Sequence, residues 1–130
     1  MLLLDTCALL WLVQDPEQLS ARAREAIRKN AQSLAISPIS FWEIAIKQAQ
    51  GHLQFLRGTD LEEWHFEVVA SYRLKELPLD AATLIASARL PPIHKDPCDR
   101  MIIASALRAK VAIVTADLII PSYPKVKVCW

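Results

Sequence analysis

The amino-acid sequence predicts an α/β domain with a short, mainly parallel central sheet and helices on both faces. Short apolar runs of three to five residues alternate along the chain with helical segments, most of them ten residues or longer, which is the pattern of parallel-sheet folds. Acidic residues follow two of these runs, Asp5 after the first and Asp117 after the run at 111–114. Because ligands bind at the carboxyl ends of parallel strands, these two residues point to a functional edge.

Each predicted strand is a short apolar run bounded by polar or turn residues. In chain order the predicted strands are Leu2–Leu4, Leu34–Ser37, Glu76–Leu79, Val111–Thr115 and Val126–Trp130. The last of these is expected to lie at a sheet edge. A chain of 130 residues suits one core, so we expect one domain over residues 1–130.

Each predicted helix has a capping residue at its start, and several have a clear stop signal. The predicted helices are Thr6–Val13 capped by Asp5 or Thr6, Leu19–Asn30 capped by Ser20, Ser40–Gln50 ended by Gly51, a helix from Thr59 or Asp60 to Tyr72, a helix from Asp80 to Leu90 stopped by Pro91-Pro92, and Asp96–Lys110. The second of these places Arg22, Arg24, Arg28 and Lys29 mainly opposite its apolar face, as expected for a solvated surface.

The composition indicates a globular protein of a reducing compartment. Hydrophobic residues make up 53% of the chain and charged residues 22%. The cysteines Cys7, Cys98 and Cys129 form no CxxC pair, which argues against a disulfide framework or a zinc site. No apolar run reaches the roughly 18 residues of a membrane span, and the N-terminal run lacks a basic segment, so we expect no membrane association and a cytoplasmic location.

The net charge of +1 does not by itself indicate nucleic acid as a partner. With only two glycines, the chain also has no glycine-rich phosphate-binding loop.

Taken one at a time, the acidic residues near helix starts are adequately explained as caps worth about 1 kcal/mol each. Asp96, followed by Pro97, fits an N-cap, and Asp99 falls in the first turn, where a carboxylate favours the helix dipole. Ser40 and Glu43 have the S-x-x-E spacing of a capping box. Asp5 could likewise cap a helix, and Asp117 a turn.

Taken together, the acidic residues indicate a metal site. Asp5, Glu43, Asp99 and Asp117 should all reach the carboxyl edge of the sheet, because the strands end there and the following helices begin there. Four carboxylates in one place repel each other unless a cation compensates them. Oxygen ligands without a cluster of His or Cys favour Mg²⁺ or Mn²⁺, which commonly serve phosphoryl chemistry.

Four segments of the chain carry a family resemblance: LLLDT, SPISFWEIAIK, LPPIHKDPCDRMIIASA and IVTAD. In this order they resemble the PIN domain over nearly the whole chain. More narrowly they resemble the toxin component of VapBC toxin–antitoxin modules, in the subgroup marked by an H-x-D-P-F-D-R segment. Cys98 stands where that subgroup usually carries Phe, and we interpret it as a small buried hydrophobe.

The resemblance implies a metal-dependent endoribonuclease that uses Mg²⁺ or Mn²⁺ to hydrolyse RNA phosphodiester bonds. The implied catalytic residues are Asp5, Glu43, Asp99 and Asp117. Of these, Asp5 and Asp99 would bind the metal directly, and the other two would place a second ion or its water. It also implies a homodimer and a small cognate antitoxin of the VapB type.

Three further residues match the family as supporting groups. Thr6 and Thr115 match hydroxyls that would orient water or a ligating carboxylate. Asp96 belongs to the longer subgroup motif, and we expect it to cap its helix, with a water-mediated role at the metal as the alternative.

The basic residues near the motifs have two interpretations each. Lys47 stands four residues after Glu43, so a helix salt bridge and a phosphate contact are equally supported. Arg100 is expected either to pack beside the site or to touch substrate. His94 is more typical of a loop or an interface than of a general base.

Two tryptophans carry structural predictions. Trp42, next to Glu43, is expected to pack in the core. Trp64 lies on a helix whose apolar positions exceed one face, which suggests an interface anchor.

The alternative function is a non-catalytic RNA- or protein-binding module that keeps the PIN-like fold. Such a module is expected to have lost one or more carboxylates, and none is missing.

Overall fold

The computed structural model describes residues 1–130 as five strands and six helices. The strands are β1 (Leu2–Leu4), β2 (Leu34–Ile36), β3 (Lys75–Glu76), β4 (Ala112–Val114) and β5 (Val128–Cys129). The helices are α1 (Thr6–Gln14), α2 (Ala21–Lys29), α3 (Pro38–Ala49), α4 (Leu61–Tyr72), α5 (Ala81–Ala88) and α6 (Pro97–Ala109). Three short 3₁₀ helices, which the sequence did not predict, cover Pro16–Gln18, Gln54–Leu56 and Ile120–Ser122.

The five strands form one parallel sheet in the order β3-β2-β1-β4-β5. The predicted α/β architecture is therefore confirmed, with β5 at an edge. Leu4 of β1 pairs with Ile36 on one side and with Val114 on the other. The residues that follow these three positions therefore lie side by side at the carboxyl edge, and they are Asp5, Ser37 and Thr115.

The sheet separates two apolar cores, because successive strand side chains point to opposite faces. Leu2 and Leu4 belong to a core covered by helices α1 to α4, whereas Leu3 belongs to a second core with Ile102 and Ile103 of α6. Helix α5 packs on α6. None of the helices combines the length and the apolar character that crossing a membrane would require.

Helix α3 begins earlier than predicted, and the predicted capping box is wrong. The N-cap is Ser37, whose hydroxyl accepts a hydrogen bond of 3.3 Å from the N–H of Ile39, with Pro38 as the first helical residue. Proline suits that position because its missing N–H would have no partner there. Ser40 and Glu43 consequently lie inside the helix and turn towards α1.

Trp42 and Trp64 occupy the opposite environments from those predicted. Trp42 is 58% exposed, whereas Trp64 is 9% exposed and contacts Phe41 and Phe55 edge-on with ring centroids 6.2 and 6.3 Å away. Helix geometry explains the first case. Helix α3 buries Ser40 and Ile44, and a residue midway between two such positions points to the other side.

The same rule applies to α4. This helix buries Trp64 and Val68, so Phe66 between them is the exposed aromatic residue, at 74%. A single aromatic residue cannot be assigned to the interior from its type alone, because its angular position on the helix decides its environment.

Candidate active site

A cleft of about 340 Å³ opens at the carboxyl edge of the sheet. It brings together seven of the residues predicted for the site, namely Asp5, Thr6, Glu43, Lys47, Asp96, Asp99 and Asp117. The other lining residues are Cys7, Trp11 and Ala116. Thr115 contacts the cleft through its bond to Asp5, whereas Arg100 does not line the cleft.

Asp5 is the most buried of the four candidate catalytic carboxylates, at 6% exposure. It caps α1, since Oδ1 accepts a hydrogen bond of 2.7 Å from the N–H of Ala8, while Oδ2 accepts one from the hydroxyl of Thr115. Burial raises the pKa of Asp5, because the hydrogen bonds from Thr115 and Ala8 offset only part of the lost hydration. The charges of Asp117 and Glu43 raise it further.

Glu43 reaches the cleft from α3. Its Oε1 accepts a hydrogen bond of 2.6 Å from the hydroxyl of Thr6, whose oxygen also lies 2.9 Å from Oγ of Ser40. Burial raises the pKa of Glu43, and the hydrogen bond from Thr6 counteracts this only in part. Because Glu43 is turned to Thr6, the ion pair with Lys47, one of the two alternatives for this residue, does not form, and Lys47 lines the cleft.

Asp96 and Asp99 begin α6 in different roles. Asp96 is the N-cap, as predicted, with Oδ1 accepting from the N–H groups of Cys98 at 2.8 Å and Asp99 at 3.3 Å. The Asp99 carboxylate, by contrast, receives no hydrogen bond from a backbone N–H or a hydroxyl. Burial, followed by the charge of Asp96, raises the pKa of Asp99 to about 7 despite the opposing effect of His94.

Asp117 follows β4, and both oxygen atoms of its carboxylate make hydrogen bonds. Oδ1 accepts hydrogen bonds from the N–H groups of Ile119 at 2.7 Å and Ile120 at 2.9 Å, and Oδ2 lies 3.0 Å from Nε2 of His94. Burial alone would raise the pKa of Asp117, but the hydrogen bonds from His94 and the two backbone groups lower it overall. Asp117 is therefore the member of the set that the protein itself stabilises as an anion.

The electrostatics of the cleft fit a divalent cation. Burial and repulsion from neighbouring carboxylates raise the pKa values of Asp5, Glu43 and Asp99, and a bound cation would favour the ionised form of all three. All four side chains offer oxygen atoms, which suit Mg²⁺ and Mn²⁺. Asp99 has the most unoccupied lone pairs, because no backbone or hydroxyl donor reaches its carboxylate.

Cys98 is buried, at 7% exposure, and burial raises the pKa of its thiol to about 12. A thiol in this state is a poor nucleophile and a poor metal ligand. Its environment therefore agrees with the prediction of a small buried hydrophobe.

Arg100 serves the packing role among its two predicted alternatives. Its guanidinium donates to the carbonyl oxygens of Ser87 at 3.0 Å, Leu90 at 2.8 Å and Pro91 at 2.9 Å. It thereby binds the segment that joins α5 to α6. These contacts occupy the donors that a substrate phosphate would need.

Sequence reasoning missed His94 as a member of the site. The residue is 7% exposed, and its Nε2 lies within 3.2 Å of both Asp99 and Asp117. The sequence feature that could have indicated this is the position of His94 two residues before the helix cap Asp96, which places it at the N-terminal end of α6. Trp11, which lines the cleft, was missed as well. Nothing in the sequence around it distinguishes a tryptophan that lines a cleft from one that packs in the core.

The comparisons with known proteins agree with this architecture. The model of the PIN domain family matches residues 2–126. The chain belongs to the PIN domain family. This PIN domain is 32% identical over 116 residues to Ribonuclease VapC22 of Mycobacterium tuberculosis, an alignment that covers 88% of this chain and 85% of that protein.

Solved structures support the fold of this PIN domain. It resembles VapBC2 from Rickettsia felis bound to a promoter DNA fragment, with a TM-score of 0.68, 14% identity and coverage of 98% of this chain and 96% of that one. It also resembles DNA-bound VapBC from Salmonella typhimurium, with a TM-score of 0.66, 20% identity and coverage of 98% and 95%. FitAcB from Neisseria gonorrhoeae gives a TM-score of 0.62 at 19% identity, with coverage of 98% and 96%.

Proposed function

We propose that this PIN domain is a metal-dependent endoribonuclease and the toxin of a VapBC-type toxin–antitoxin pair. The observation that carries the proposal is the complete set of four carboxylates in one cleft, three of which have raised pKa values in the absence of a cation. Similarity to a protein named as a ribonuclease supports RNA as the substrate.

The four carboxylates of the cleft have two different proposed roles in metal binding. Asp5 and Asp99 would hold Mg²⁺ or Mn²⁺ directly, while Glu43 and Asp117 would hold a second ion or a water molecule. A bound divalent ion supplies activation of water and neutralises charge that develops on the phosphate. The chain itself fixes three of these carboxylates, through Thr115 for Asp5, Thr6 for Glu43 and backbone N–H groups for Asp117.

Lys47 is the cationic side chain that lines the cleft, and it is free of any ion pair. Its ammonium group is suited to contact a non-bridging phosphate oxygen of the RNA. We therefore propose that Lys47, rather than Arg100, contacts the substrate.

The proposed partners are RNA, a VapB-type antitoxin and a second copy of the chain. The structural neighbours whose names include VapBC support the antitoxin. Exposed aromatic side chains such as Trp42 and Phe66 give the surface apolar anchors of the kind found at protein interfaces.

The competing function, a non-catalytic binding module, is disfavoured by the intact carboxylate set. Cleavage of a mixed pool of structured and unstructured RNAs by the purified chain, free of any partner, separates the two. We expect cleavage with Mg²⁺ or Mn²⁺, none with chelator, and none by Asp99→Asn, while Glu17→Gln, which changes an exposed carboxylate elsewhere, stays active. A folded wild-type chain that binds RNA but never cuts it would instead support the binding module.

A further inference from the structure

His94 lies between two of the four carboxylates without being one of the predicted site residues. Its Nε2 is 3.0 Å from Oδ2 of Asp117 and 3.2 Å from Oδ2 of Asp99. The three side chains bring potential ligand atoms within 4.8 Å of one another. Geometry alone therefore allows two roles for His94, that of a metal ligand and that of a hydrogen-bond donor that holds the carboxylates.

The second ring nitrogen decides between these roles. Nδ1 of His94 lies 3.1 Å from the backbone nitrogen of Asp96. A backbone nitrogen can only donate its N–H, so Nδ1 is the acceptor of this hydrogen bond. A ring nitrogen that accepts a hydrogen bond carries no proton, so the proton of the neutral ring is on Nε2. Nε2–H then donates to Asp117.

A metal bound at Nε2 would require the opposite tautomer. The proton would move to Nδ1, where it would face the N–H of Asp96, and two donors would be opposed in a buried place. His94 could become a ligand through Nε2 only if its hydrogen bond from the N–H of Asp96 were broken.

The segment before α6 is firmly held. The N–H of His94 donates to the hydroxyl of Tyr123 at 2.7 Å, and this hydroxyl donates in turn to the carbonyl of Pro91 at 2.7 Å. Arg100 donates to the carbonyl of His94 at 3.2 Å from the other side. The backbone of His94 is therefore held at both its donor and its acceptor, which keeps the residue beside Asp96 and Asp117.

We propose that His94 is a positioning residue of the metal site, a donor that holds Asp117 and faces Asp99 so that both carboxylates converge on the cation. The inference rests on the proposed function and deepens it. Because His94 gives no ligand atom, the protein ligands of the metal are oxygen atoms only, which favours Mg²⁺ and Mn²⁺ over Zn²⁺.

Two substitutions at position 94 test the donor. In His94→Gln the side-chain amide can reach the place of Nε2 and can still donate, whereas in His94→Asn it reaches only the place of Nδ1. We expect His94→Gln to keep Mn²⁺ affinity and RNA cleavage within about fivefold of wild type, and His94→Asn to lose about 10–100-fold in both, as is common when the partner of a ligand is removed. Equal melting temperatures of the two variants would exclude a general loss of stability as the cause.

The tautomer is measured on the wild-type protein, so the test does not depend on a variant that folds. Long-range ¹⁵N–¹H NMR of the histidine rings, assigned by the signals lost in His94→Gln, should show Nε2–H both before and after Mg²⁺ is added. Pulsed electron paramagnetic resonance with Mn²⁺ should show no directly coordinated nitrogen. A switch to Nδ1–H on metal binding, a coordinated nitrogen, or wild-type Mn²⁺ affinity in His94→Asn would each overturn the proposal.

The outcomes for His94 and for the proposed function are distinguishable. A wild-type chain that binds Mn²⁺ with the Nε2–H tautomer but cleaves no RNA would contradict the ribonuclease and leave the positioning role standing. A wild-type chain that cleaves RNA while His94→Asn cleaves equally well would contradict the positioning role alone.

Discussion

The hydroxyl of Thr6 donates a hydrogen bond of 2.6 Å to the carboxylate of Glu43, and this contact joins helix α1 to helix α3. Thr6 directly follows Asp5, which caps the same helix α1. The placement of Glu43 is therefore coupled to that of Asp5, although the two residues lie 38 positions apart in the sequence. One hydroxyl thus fixes the spacing of two carboxylates across the cleft.

Replacing Thr6 by Val should lower RNA cleavage by about tenfold, because a hydrogen bond to a charged group contributes about 1.5–3 kcal/mol. Val has nearly the shape of Thr, so the buried packing around position 6 is preserved. Thr6→Ser restores the hydroxyl and should recover most of the rate. The measurement is the turnover number at saturating metal, and equal rates for Thr6→Val and wild type would show that the contact with Glu43 does not matter.

The metal-free protein should lose stability as the pH rises from about 4 to about 7. The folded-state pKa of Asp99 is about 7 against an ordinary value of 3.8, and burial is the main cause. Within this range the folded state holds a proton that the unfolded state has lost, so raising the pH favours unfolding. Asp5 and Glu43, whose pKa values are also raised, act in the same direction. Urea denaturation in chelator at several pH values measures the effect.

Asp99→Asn is the matched variant for this pH dependence. It removes the ionisable group with little change of shape, so we expect it to be more stable than wild type by roughly 2 kcal/mol at pH 8 and to have a flatter pH profile. At pH 4 the two proteins should differ little. A variant that is less stable than wild type at pH 8 would show that Asp99 stabilises the fold rather than straining it.

Arg100→Ala should destabilise the protein by about 3 kcal/mol. The substitution removes the donors that bind the carbonyl groups of Ser87, Leu90 and Pro91 and leaves several acceptors without partners. Arg100→Lys should recover only a small part, because an ammonium group cannot reproduce the planar fork of the guanidinium. Thermal unfolding measures both variants, and the exposed Arg22→Ala is the control. A loss for Arg100→Ala no larger than for Arg22→Ala would rule out the packing role.

Trp64→Ala and Trp42→Ala should differ sharply in stability. Truncating the buried Trp64 removes its edge-on contacts with Phe41 and Phe55 and should cost about 3–5 kcal/mol. Truncating the exposed Trp42 should change the free energy of unfolding by less than about 0.5 kcal/mol. Chemical denaturation compares them. A large loss for Trp42→Ala in the monomeric chain would contradict its exposed placement.

The fold could be predicted from the sequence because its signals are local. A three-residue apolar run ending in Asp5, and caps such as Ser20, Asp60 and Asp80, mark where elements begin and end. Parallel pairing places the ends of β1 and β4 side by side, so the position of Asp5 directly after one apolar run and that of Asp117 shortly after another are enough to assign both to one edge. The start of α3 is ambiguous in the sequence, because Ser37 and Ser40 are both plausible caps and only the adjoining Pro38 favours the first.

The remainder of the site depends on contacts between residues distant in sequence. His94 reaches Asp117 across 23 positions, and Arg100 turns to the carbonyls of a preceding segment rather than to the cleft. No local pattern encodes these directions, since they follow from how the segment before α6 is held against Tyr123. The environments of Trp42 and Trp64 likewise depend on which face of a helix meets its neighbour.

If the cleft is a divalent-cation site built from carboxylates, Mn²⁺ binds there, and titration calorimetry measures that binding. At pH 8 we expect wild type and Glu17→Gln to bind Mn²⁺ with equal affinity and Asp99→Asn to bind at least tenfold more weakly. Wild-type affinity should fall as the pH is lowered below about 7, where Asp99 takes up a proton. No binding by the folded wild-type protein, or equal binding by Asp99→Asn, would show that these carboxylates do not form a cation site.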